Sequence, residues 1–565
     1  MKLPILLIVA ACKFFVQAAL NTNGSNTCTA HSSGSQSPLT VRTITGIYTG
    51  LQNSYYPNVR EFRNIPFAQP PVGKLRFLPP KPLPPSTRHH YATRYPPSCP
   101  QFVSNGVSLW NLYVPYLLVN NGAQNHSTGL SLQTGSEDCL SLAIWTPYNV
   151  TLDAKLPVAF FMTGGGFSTG GIDIDGQIPA PWVNRTHGHI VVTINYRVNI
   201  FGFPNAAALG VPNIALLDQR LALEWVYANI ASFGGDPDSI LLWGQSAGSQ
   251  SVDYHNYAFW DNPIARGSFS QSGTALKALP SKDYTHSNFT YVAKSLGCDF
   301  PADPDAELEC MQQVPMTEIE NFLGNYKGTS RLSFGPIADE VYLFSNYAAR
   351  AAAGKISPVP AIFSDTANND ASLKPWPLAN VTEGPYQPII TAGTLSGWVC
   401  PTANTSMLRA AANLTTYSYL ATDASIFPFV IVSIWNLHAS VVDPGCLRFR
   451  YQYAGNWTNQ NPTRWLGAYH AGDLVMNFGT YNLSITNDTS GPSQAEIETS
   501  QAIQDYVFAF MKDPINGPPS LGWLPYTYGG NVLRFGAGGV PVQNASGYDI
   551  DGPCYGNGAY DPFPQ

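Results

Sequence analysis

The chain has 565 residues, of which 44% are hydrophobic and 12% aromatic, so it can bury a sizeable core and is not disordered as a whole. Only 12% of the residues are charged, about half of the roughly 25% that is usual in soluble proteins. The 29 basic and 36 acidic side chains give a formal net charge of −7, and the basic residues form no run. The sequence therefore carries no electrostatic footprint for nucleic acid, and we expect no such partner.

The first residues have the pattern of a secretory signal peptide. A basic start at Lys2 precedes a short, mostly apolar stretch that ends in small residues. We therefore predict a signal of residues 1–18, cleaved near Ala18, and a secreted protein. The alternative is a signal anchor, but the apolar stretch is shorter than the ~20 residues that span a bilayer. No later segment reaches that length either, so we expect no stable membrane insertion.

Cysteines and glycosylation motifs indicate the same compartment. Removal of Cys12 with the signal leaves eight cysteines, an even number that is typical of disulfides in an oxidising environment. The cysteine spacings are not those of zinc ligands, and we expect no metal site. Twelve Asn-x-Ser/Thr sequons predict N-glycans, which would help to keep a weakly charged surface soluble. The sequon asparagines are Asn23, Asn125, Asn149, Asn184, Asn288, Asn380, Asn404, Asn413, Asn456, Asn482, Asn487 and Asn544.

The middle of the chain alternates between apolar runs and a helical pattern. Residues 213–233 have the apolar spacing of a helix, which ends at a glycine pair. The Gly- and Pro-rich stretch from about Gly536 contains Cys554 and predicts a tail held by a disulfide. The alternation predicts an α/β fold whose large, mostly parallel sheet is covered by helices on both faces. The predicted strands are 156–162, 189–195, 239–243 and 359–363.

A G-x-S-x-G pentapeptide, residues 244–248, follows the third predicted strand. Glycines on both sides of Ser246 permit the tight strand-to-helix turn that exposes a nucleophilic hydroxyl above a sheet. A second Gly-rich strand end, residues 164–166, can present backbone N–H groups to a tetrahedral oxyanion. Either motif alone could be an ordinary glycine turn. Together, in this order, they predict nucleophilic catalysis by Ser246.

Several further stretches, spread over roughly residues 40–535, carry a family pattern. They are 62–68 (FRNIPFA), 136–142 (SEDCLSL), 195–203 (NYRVNIFGF), 229–237 (NIASFGGDP) and 467–470 (GAYH). With the pentapeptide, they make the chain resemble the type-B carboxylesterase/lipase family, the cholinesterase-like branch of the α/β-hydrolases. The resemblance implies one α/β-hydrolase domain, which we assign to residues 19–565. It implies a small-molecule ester substrate and no cofactor.

The resemblance also implies which groups bind the oxyanion. Carried over from the family, the donors are the backbone N–H groups of Gly165, Gly166 and Ala247. Thr163 stands where the family often has histidine, and this departure concerns loop support, because the position is not a donor. Gln245 stands where glutamate is common, and it leaves the geometry of the elbow intact.

The general base is expected after Ser246 in the sequence, because the chain order in this fold is Ser, then Asp or Glu, then His. Two histidines, His438 and His470, fit that order. His438 lies in an apolar, aromatic run that is typical of a packed helix. His470 lies in a glycine-flanked segment that matches the family's catalytic-histidine motif, and we predict it as the base.

The acid of the triad is expected in the loop after the strand at 359–363, where the family usually has glutamate. Asp370 fits this place if one residue is inserted, and we predict it as the acid. Without the insertion the place falls on Asn369, whose amide cannot carry the charge that stabilises an imidazolium. Asp365 is a further alternative in the same segment.

The resemblance also implies two disulfides. Cys99–Cys139 matches the family's N-terminal bridge, and Cys298–Cys310 closes a small loop. The remaining cysteines allow three pairings, among which the sequence does not choose. They are Cys28, Cys400, Cys446 and Cys554.

We therefore expect a secreted serine hydrolase that acts on short-chain, medium-chain or aromatic carboxylic esters. One alternative is a lipase, with the apolar loop between Cys99 and Cys139 as a lid that contacts a lipid interface. A second is an acyltransferase with the same triad. A third is a catalytically silent, cholinesterase-like binding protein, since the family resemblance also includes such members.

Overall fold

Strands and helices alternate along the chain. The structure is a computed structural model that describes residues 38–102, 107–117, 135–328, 332–414, 447–483, 491–527 and 529–565. Its strands are β1 (Thr40–Arg42), β2 (Ile47–Thr49), β3 (Leu51–Gln52), β4 (Val59–Pro66), β5 (His89–Tyr91), β6 (Ser141–Pro147), β7 (Leu156–Met162), β8 (Ile190–Ile194), β9 (Gly235–Gln245), β10 (Gly267–Gln271), β11 (Ala361–Thr366), β12 (Arg448–Tyr453), β13 (Asn531–Phe535) and β14 (Val542–Ser546).

The helices lie in the segments that connect these strands. A π-helical turn, Leu395–Val399, joins two of them into one continuous helical segment. The helices are α1 (Leu109–Leu112), α2 (Ala180–Thr186), α3 (Asn199–Gly202), α4 (Ile214–Asn229), α5 (Ala247–Ala258), α6 (Ser287–Ser295), α7 (Pro304–Met311), α8 (Met316–Asn325), α9 (Tyr347–Ala352), α10 (Gln387–Thr394), α11 (Cys400–Leu414), α12 (Leu474–Phe478), α13 (Gln494–Lys512), α14 (Gly517–Ser520) and α15 (Gly547–Ile550).

Eleven strands form one sheet, in the spatial order β14-β13-β12-β11-β10-β9-β7-β8-β6-β4-β3. Every neighbouring pair from β13 to β8 is parallel. Strand β14 at one edge, and β6, β4 and β3 at the other, pair antiparallel. The remaining strands, β1, β2 and β5, form a small separate sheet. The predicted α/β fold with a large, mostly parallel sheet is confirmed.

Both faces of the sheet are buried, as the apolar runs predict. In β7, Phe160 packs in a cluster with Leu223 of α4, whereas its neighbour Phe161 packs in a second cluster with Val507 of α13. Successive side chains of a strand point to opposite faces, so an unbroken apolar run requires cover on both sides. Helices therefore lie against both faces, as the sequence predicts.

The predicted boundaries are close to those observed. The run 156–162 is β7, 189–195 contains β8, and the helix predicted over 213–233 is α4 followed by a 3₁₀ turn to Phe233. The run 239–243 lies inside the longer β9. The strand predicted at 359–363 begins two residues later, at Ala361, because Pro360 has no N–H to donate to a neighbouring strand.

Three disulfides are present in the described residues. Cys99–Cys139 and Cys298–Cys310 are confirmed, and Cys400 pairs with Cys554. The last bridge connects the start of α11 to the C-terminal segment, so the predicted disulfide-held tail is also confirmed. Cys28, Cys446, His438 and the predicted signal of residues 1–18 lie outside the described residues.

Residues Leu39–Gln565 form one unit by their internal contacts. Within the ranges that the structure describes, no helix combines the length and the apolar character needed to cross a membrane.

Candidate active site

The predicted site residues lie at one edge of the sheet. They occur in the loops that follow β7, β9, β11 and β12, all parallel strands, whose carboxyl ends therefore meet at the same edge. Ligands of open α/β sheets bind outside these carboxyl ends. The parallel sheet thus brings together residues that are far apart in the sequence.

Ser246 occupies a strained turn between β9 and α5. Its backbone has φ 57° and ψ −118°, which non-glycine residues rarely adopt. The flanking glycines make this turn possible, because a Cβ on Gly244 would lie 2.3 Å from the carbonyl oxygen of Gly248. A Cβ on Gly248 would lie 2.0 Å from the carbonyl oxygen of Met162 in β7. The turn has the geometry of a nucleophile elbow.

The Gly-rich loop after β7 lies directly against this turn. A Cβ on Gly164 would lie 2.9 Å from the Cβ of Ser246. Gly165 and Gly166 both have positive φ, at 113° and 63°, and the Cβ position of Gly166 faces open space. Ala247 is the first residue of α5, so its N–H is at the helix N-terminus beside the same loop. The backbone around Ser246 can therefore present several N–H donors.

Thr163 anchors the base of this loop, in agreement with its predicted supporting role. Its hydroxyl donates a 2.8 Å hydrogen bond to Oε1 of Gln177. Its carbonyl oxygen accepts a 2.8 Å hydrogen bond from the hydroxyl of Tyr196. Two hydrogen bonds of Thr163 thus fix the start of the Gly-rich loop that packs against Ser246.

His470 reaches the elbow from the loop after β12. Its side chain is only 5% exposed, and its Nε2 lies 3.3 Å from Nε2 of Gln245, the residue before Ser246. Its Nδ1 lies 2.6 Å from Oδ1 of Asn369. The structure therefore brings His470 and the elbow together and places an amide at the other ring nitrogen.

Asp370, the predicted acid, is not in contact with His470. Its carboxylate forms an ion pair with Lys374, and its backbone N–H donates to the hydroxyl of Thr394. The carboxylate lies over Gly393 of α10, which has no side chain in the way. The prediction required one inserted residue after β11. In the structure Asn369, the residue to which the count without an insertion leads, occupies the place opposite His470.

Asp365, the alternative acid, lies in β11 and belongs to a buried ion cluster. It pairs with Arg450 at 2.8 Å and accepts a 3.2 Å hydrogen bond from the hydroxyl of Thr402. Arg450 also pairs with Asp551 at 2.9 Å. Burial raises the pKa of Asp365 to about 6, although Arg450 opposes this. The cluster ties β11 and β12 to the C-terminal segment.

The charge of a half-buried lysine, Lys277, acts on His470. Lys277 donates a 2.9 Å hydrogen bond to the carbonyl oxygen of Gly397, and its Nζ lies 3.3 Å from the ring centre of Trp398. Burial lowers the pKa of Lys277 to about 8. Burial, and to a smaller extent this lysine, lower the pKa of His470 to about 3. The imidazole is thus held in its neutral, basic form.

Aromatic side chains cover the imidazole. Trp398 packs against His470 with ring centres 4.4 Å apart, and Trp110 stands perpendicular to it at 6.4 Å. Trp110 belongs to α1, inside the loop that Cys99–Cys139 closes. Tyr113 of the same loop packs on Trp376 at 4.7 Å. The described part of this apolar loop, residues 107–117, therefore lies over His470; in the lipase alternative this loop is the lid.

Sequence reasoning did not identify several of these neighbours. Trp110 and Trp398 carry no motif that distinguishes them from other buried aromatic residues. Ser272, which contacts Asn369, is 97 residues away from it in the chain. Only Asn369 could be identified from the sequence, because the place of the acid falls on it when no inserted residue is assumed after β11. Among the described side chains, no group of three or more His, Cys, Asp or Glu residues could hold a metal ion.

Comparison with known proteins gives consistent relatives. The sequence pattern of the carboxylesterase family matches residues 37–382. The chain is 37% identical over 537 residues to a chlorogenic acid esterase of Aspergillus niger, covering 91% of this chain and 94% of that protein. It is 34% identical over 552 residues to secreted lipase 5 of Gibberella zeae, covering 92% and 91%. A carboxylesterase 1C of Rattus norvegicus is 27% identical over 525 residues, covering 90% of each chain.

Proposed function

Because the chain belongs to the carboxylesterase family and is a carboxylic ester hydrolase, we propose that it works through an acyl-enzyme on Ser246. The observation that carries the proposal is the strained turn of Ser246, with the Gly-rich loop on one side and His470 on the other. Strain of this kind at a polar residue is characteristic of functional sites.

The reaction proceeds in two halves. In the first, Oγ of Ser246 attacks the ester carbonyl carbon while Nε2 of His470 takes the hydroxyl proton and then gives it to the leaving alcohol. In the second, His470 takes a proton from water, which attacks the acyl-enzyme, and returns it to Ser246 as the acid leaves. The neutral state of the buried imidazole supports its use as the base.

The negative charge of each tetrahedral intermediate falls on the former carbonyl oxygen. Backbone N–H groups of Gly165, Gly166 and Ala247 stabilise this charge, and removal of one such donor typically costs about 10²–10³ in kcat. The positive φ of both glycines supports this role, since it orients their N–H groups in a way that other residues rarely allow.

The substrates are small carboxylic esters, with short, medium or aromatic acyl groups. The name of the Aspergillus niger relative suggests chlorogenic acid as a test substrate. A panel of p-nitrophenyl esters of rising chain length, with feruloyl and choline esters alongside, would define the acyl and alcohol preference.

Covalent labelling tests the nucleophile directly. A fluorophosphonate should form one adduct, located on Ser246 by peptide mass spectrometry, and Ser246→Ala should lose both the adduct and turnover. Ser251→Ala is the matched control, because Ser251 lies on the same helix and its hydroxyl accepts a 3.0 Å hydrogen bond from Gln219, away from His470. A folded wild-type protein without an adduct would support the silent binding protein instead. Ester formation with an added alcohol would reveal acyl transfer.

Secretion and glycosylation form part of the proposal. The predicted signal at residues 1–18 and the relative named a secreted lipase both support export. Glycans need accessible acceptors, and several sequon asparagines are exposed on the surface. Treatment with an N-glycanase should therefore lower the apparent mass of the secreted protein. The exposed acceptors are Asn149, Asn380, Asn404, Asn456, Asn482 and Asn544.

A further inference from the structure

Both ring nitrogens of His470 contact an amide side chain. Nδ1 donates to Oδ1 of Asn369 at 2.6 Å, and Nε2 accepts from Nε2 of Gln245 at 3.3 Å. No carboxylate among the described residues lies within hydrogen-bond or ion-pair distance of the imidazole. The side chains that face the two ring nitrogens, Gln245 and Asn369, are both neutral amides.

Ser272 determines which end of the Asn369 amide faces the imidazole. Nδ2 of Asn369 donates a 3.0 Å hydrogen bond to Oγ of Ser272, so Oδ1 is left to accept from His470. Ser272 is fully buried and has φ 54°, a conformation that non-glycine residues rarely adopt. Its N–H donates a 2.8 Å hydrogen bond to the carbonyl oxygen of Ser364 in β11. The serine is therefore held in place by backbone.

We propose that Asn369, oriented by Ser272, is the positioning residue of His470, and that the ester hydrolase operates with an uncharged relay. This inference rests on the proposed acyl-enzyme function of Ser246. An amide oxygen at Nδ1 fixes the tautomer whose lone pair is on Nε2. It does so without the negative charge that an aspartate would bring to the imidazolium. The lone pair on Nε2 accepts the long 3.3 Å hydrogen bond from Gln245, which the serine hydroxyl has to replace when Nε2 takes its proton.

The charged groups around His470 agree with a neutral relay. Lys277, from the loop after β10, is the cation that acts on it, and Asp370, from the loop after β11, is paired with Lys374. Asp365, in β11, is paired with Arg450 of β12. Asp473, in the loop of His470 itself, accepts instead from Gln271 at 2.8 Å. The imidazole should therefore remain a base well into the acidic range, and the acid limb of kcat/KM should lie below pH 5.

The dependence of kcat/KM on pH in Asn369→Asp tests whether His470 works without a carboxylate beside it. A carboxylate beside an opposite charge shifts a pKa by roughly one to three units. We therefore expect the acid limb of kcat/KM to move up by one to three pH units, with kcat at pH 7 at or above that of the wild type. Asp370→Asn is the matched control, because its loss leaves the contacts of His470 intact and should leave the limb in place.

A double-mutant cycle tests the orienting role of Ser272. Ser272→Ala frees the amide of Asn369 to turn its NH₂ group toward Nδ1, so kcat should fall by roughly tenfold or more, within the ~10⁴-fold cost of the wrong tautomer in a serine protease. An aspartate at position 369 has two equivalent oxygens, so it can accept from Nδ1 of His470 without a hydrogen bond to Ser272. The same Ser272→Ala change should therefore cost little in the Asn369→Asp background.

The inference would be overturned by an acid limb of kcat/KM that Asn369→Asp leaves unmoved, or by loss of turnover in Asp370→Asn with the fold intact by circular dichroism. An equal cost of Ser272→Ala in both backgrounds would also contradict it, since a merely structural serine behaves in that way. Failure of the proposed function is recognised separately. In that case the wild type itself takes up no fluorophosphonate and hydrolyses no ester.

Discussion

Tyr560, close to the C-terminus, donates a 2.9 Å hydrogen bond to the carbonyl oxygen of Ala367, two residues before Asn369. The tail also reaches the loop of His470, where a Cβ on Gly467 would lie 2.8 Å from the ring of Phe563. Both loops that meet at the imidazole therefore rest on the last residues of the chain. The Cys400–Cys554 bridge holds those residues against α11.

The first prediction concerns this bridge. Replacement of Cys400 and Cys554 by serine should lower both the melting temperature and kcat, because the tail that supports the two loops is released. The bridge joins residues 154 apart, and the chain-entropy model assigns about 5 kcal/mol to a closed loop of this order. Esterase assays at a temperature where both proteins are folded separate the two effects.

The other described bridges supply the control for this experiment. Cys298–Cys310 closes a short loop and packs in a different cluster, with Phe289 and Met311. Its replacement by serine should lower the melting temperature and leave kcat unchanged. A tail-bridge variant with normal kcat would show that the loops hold their geometry without the tail.

The parts of the site that could be predicted from sequence are those encoded by local pattern. The elbow at Ser246 needs two glycines within five residues, and the strand before it is an apolar run, so both are visible in a short window. The Gly-flanked segment of His470 is equally local. These features also place their residues at strand ends, where a parallel sheet gathers them.

What the sequence did not reveal depends on spacing or on distant contacts. The choice between Asn369 and Asp370 depends on a difference of one residue in the length of the loop after β11. Because a charged residue was preferred as the acid, the sequence led to the wrong neighbour of His470. The contact of Ser272 with Asn369 joins two loops, so no local window contains it. The pairing of Cys400 required knowing where the C-terminal segment lies.

A second prediction tests the packing of the elbow. In Gly248→Ala the new methyl group would lie 2.0 Å from the carbonyl oxygen of Met162, a backbone atom that cannot turn aside. Overpacking of this kind typically costs about 1–3 kcal/mol. We expect a lower melting temperature together with a large loss of kcat, because β7 carries the Gly-rich loop.

Gly210→Ala is the matched control for the elbow variant. Its Cβ position has no atom within 4 Å, and the residue is exposed. The substitution should change neither the melting temperature nor kcat. Wild-type activity in Gly248→Ala would mean that α5 can shift without disturbing Ser246.

A third prediction concerns stability in acid. His255 is buried, its Nε2 lies 3.2 Å from Oε1 of Gln219, and burial lowers its pKa to about 3. In the unfolded chain a histidine has a pKa of about 6.5, so below that pH the unfolded state binds the extra proton. The contribution of His255 is therefore constant above pH 6.5 and decreases by about 1.4 kcal/mol per pH unit as the pH falls from 6.5 toward 3.

Urea unfolding of His255→Gln between pH 7 and pH 4.5 measures this contribution. The difference in free energy of unfolding between wild type and variant should become smaller below pH 6.5, because the glutamine has no proton to gain. His89→Gln is the control, since His89 is exposed. Parallel pH curves for wild type and His255→Gln would contradict the assignment of a neutral buried imidazole.

The last prediction concerns the loop over the site. The hydroxyl of Tyr116 donates a 3.0 Å hydrogen bond to Oε1 of Gln460, and Ser108 caps α1 through Asn111. Displacing this segment would break the Tyr116–Gln460 hydrogen bond and the contact of Trp110 with His470, whereas the Ser108 cap is local to α1 and keeps that helix formed. We therefore expect residues 107–117 to stay fixed over the site. The hydrolysis rate of tributyrin should then saturate below its solubility limit. Trp110→Ala removes the indole that stands over His470 and frees space there, so hydrolysis of p-nitrophenyl decanoate should rise relative to the acetate. A jump in rate once droplets form would contradict a fixed segment over the site and favour a lipase, because a lipid surface stabilises an open apolar loop by removing it from water.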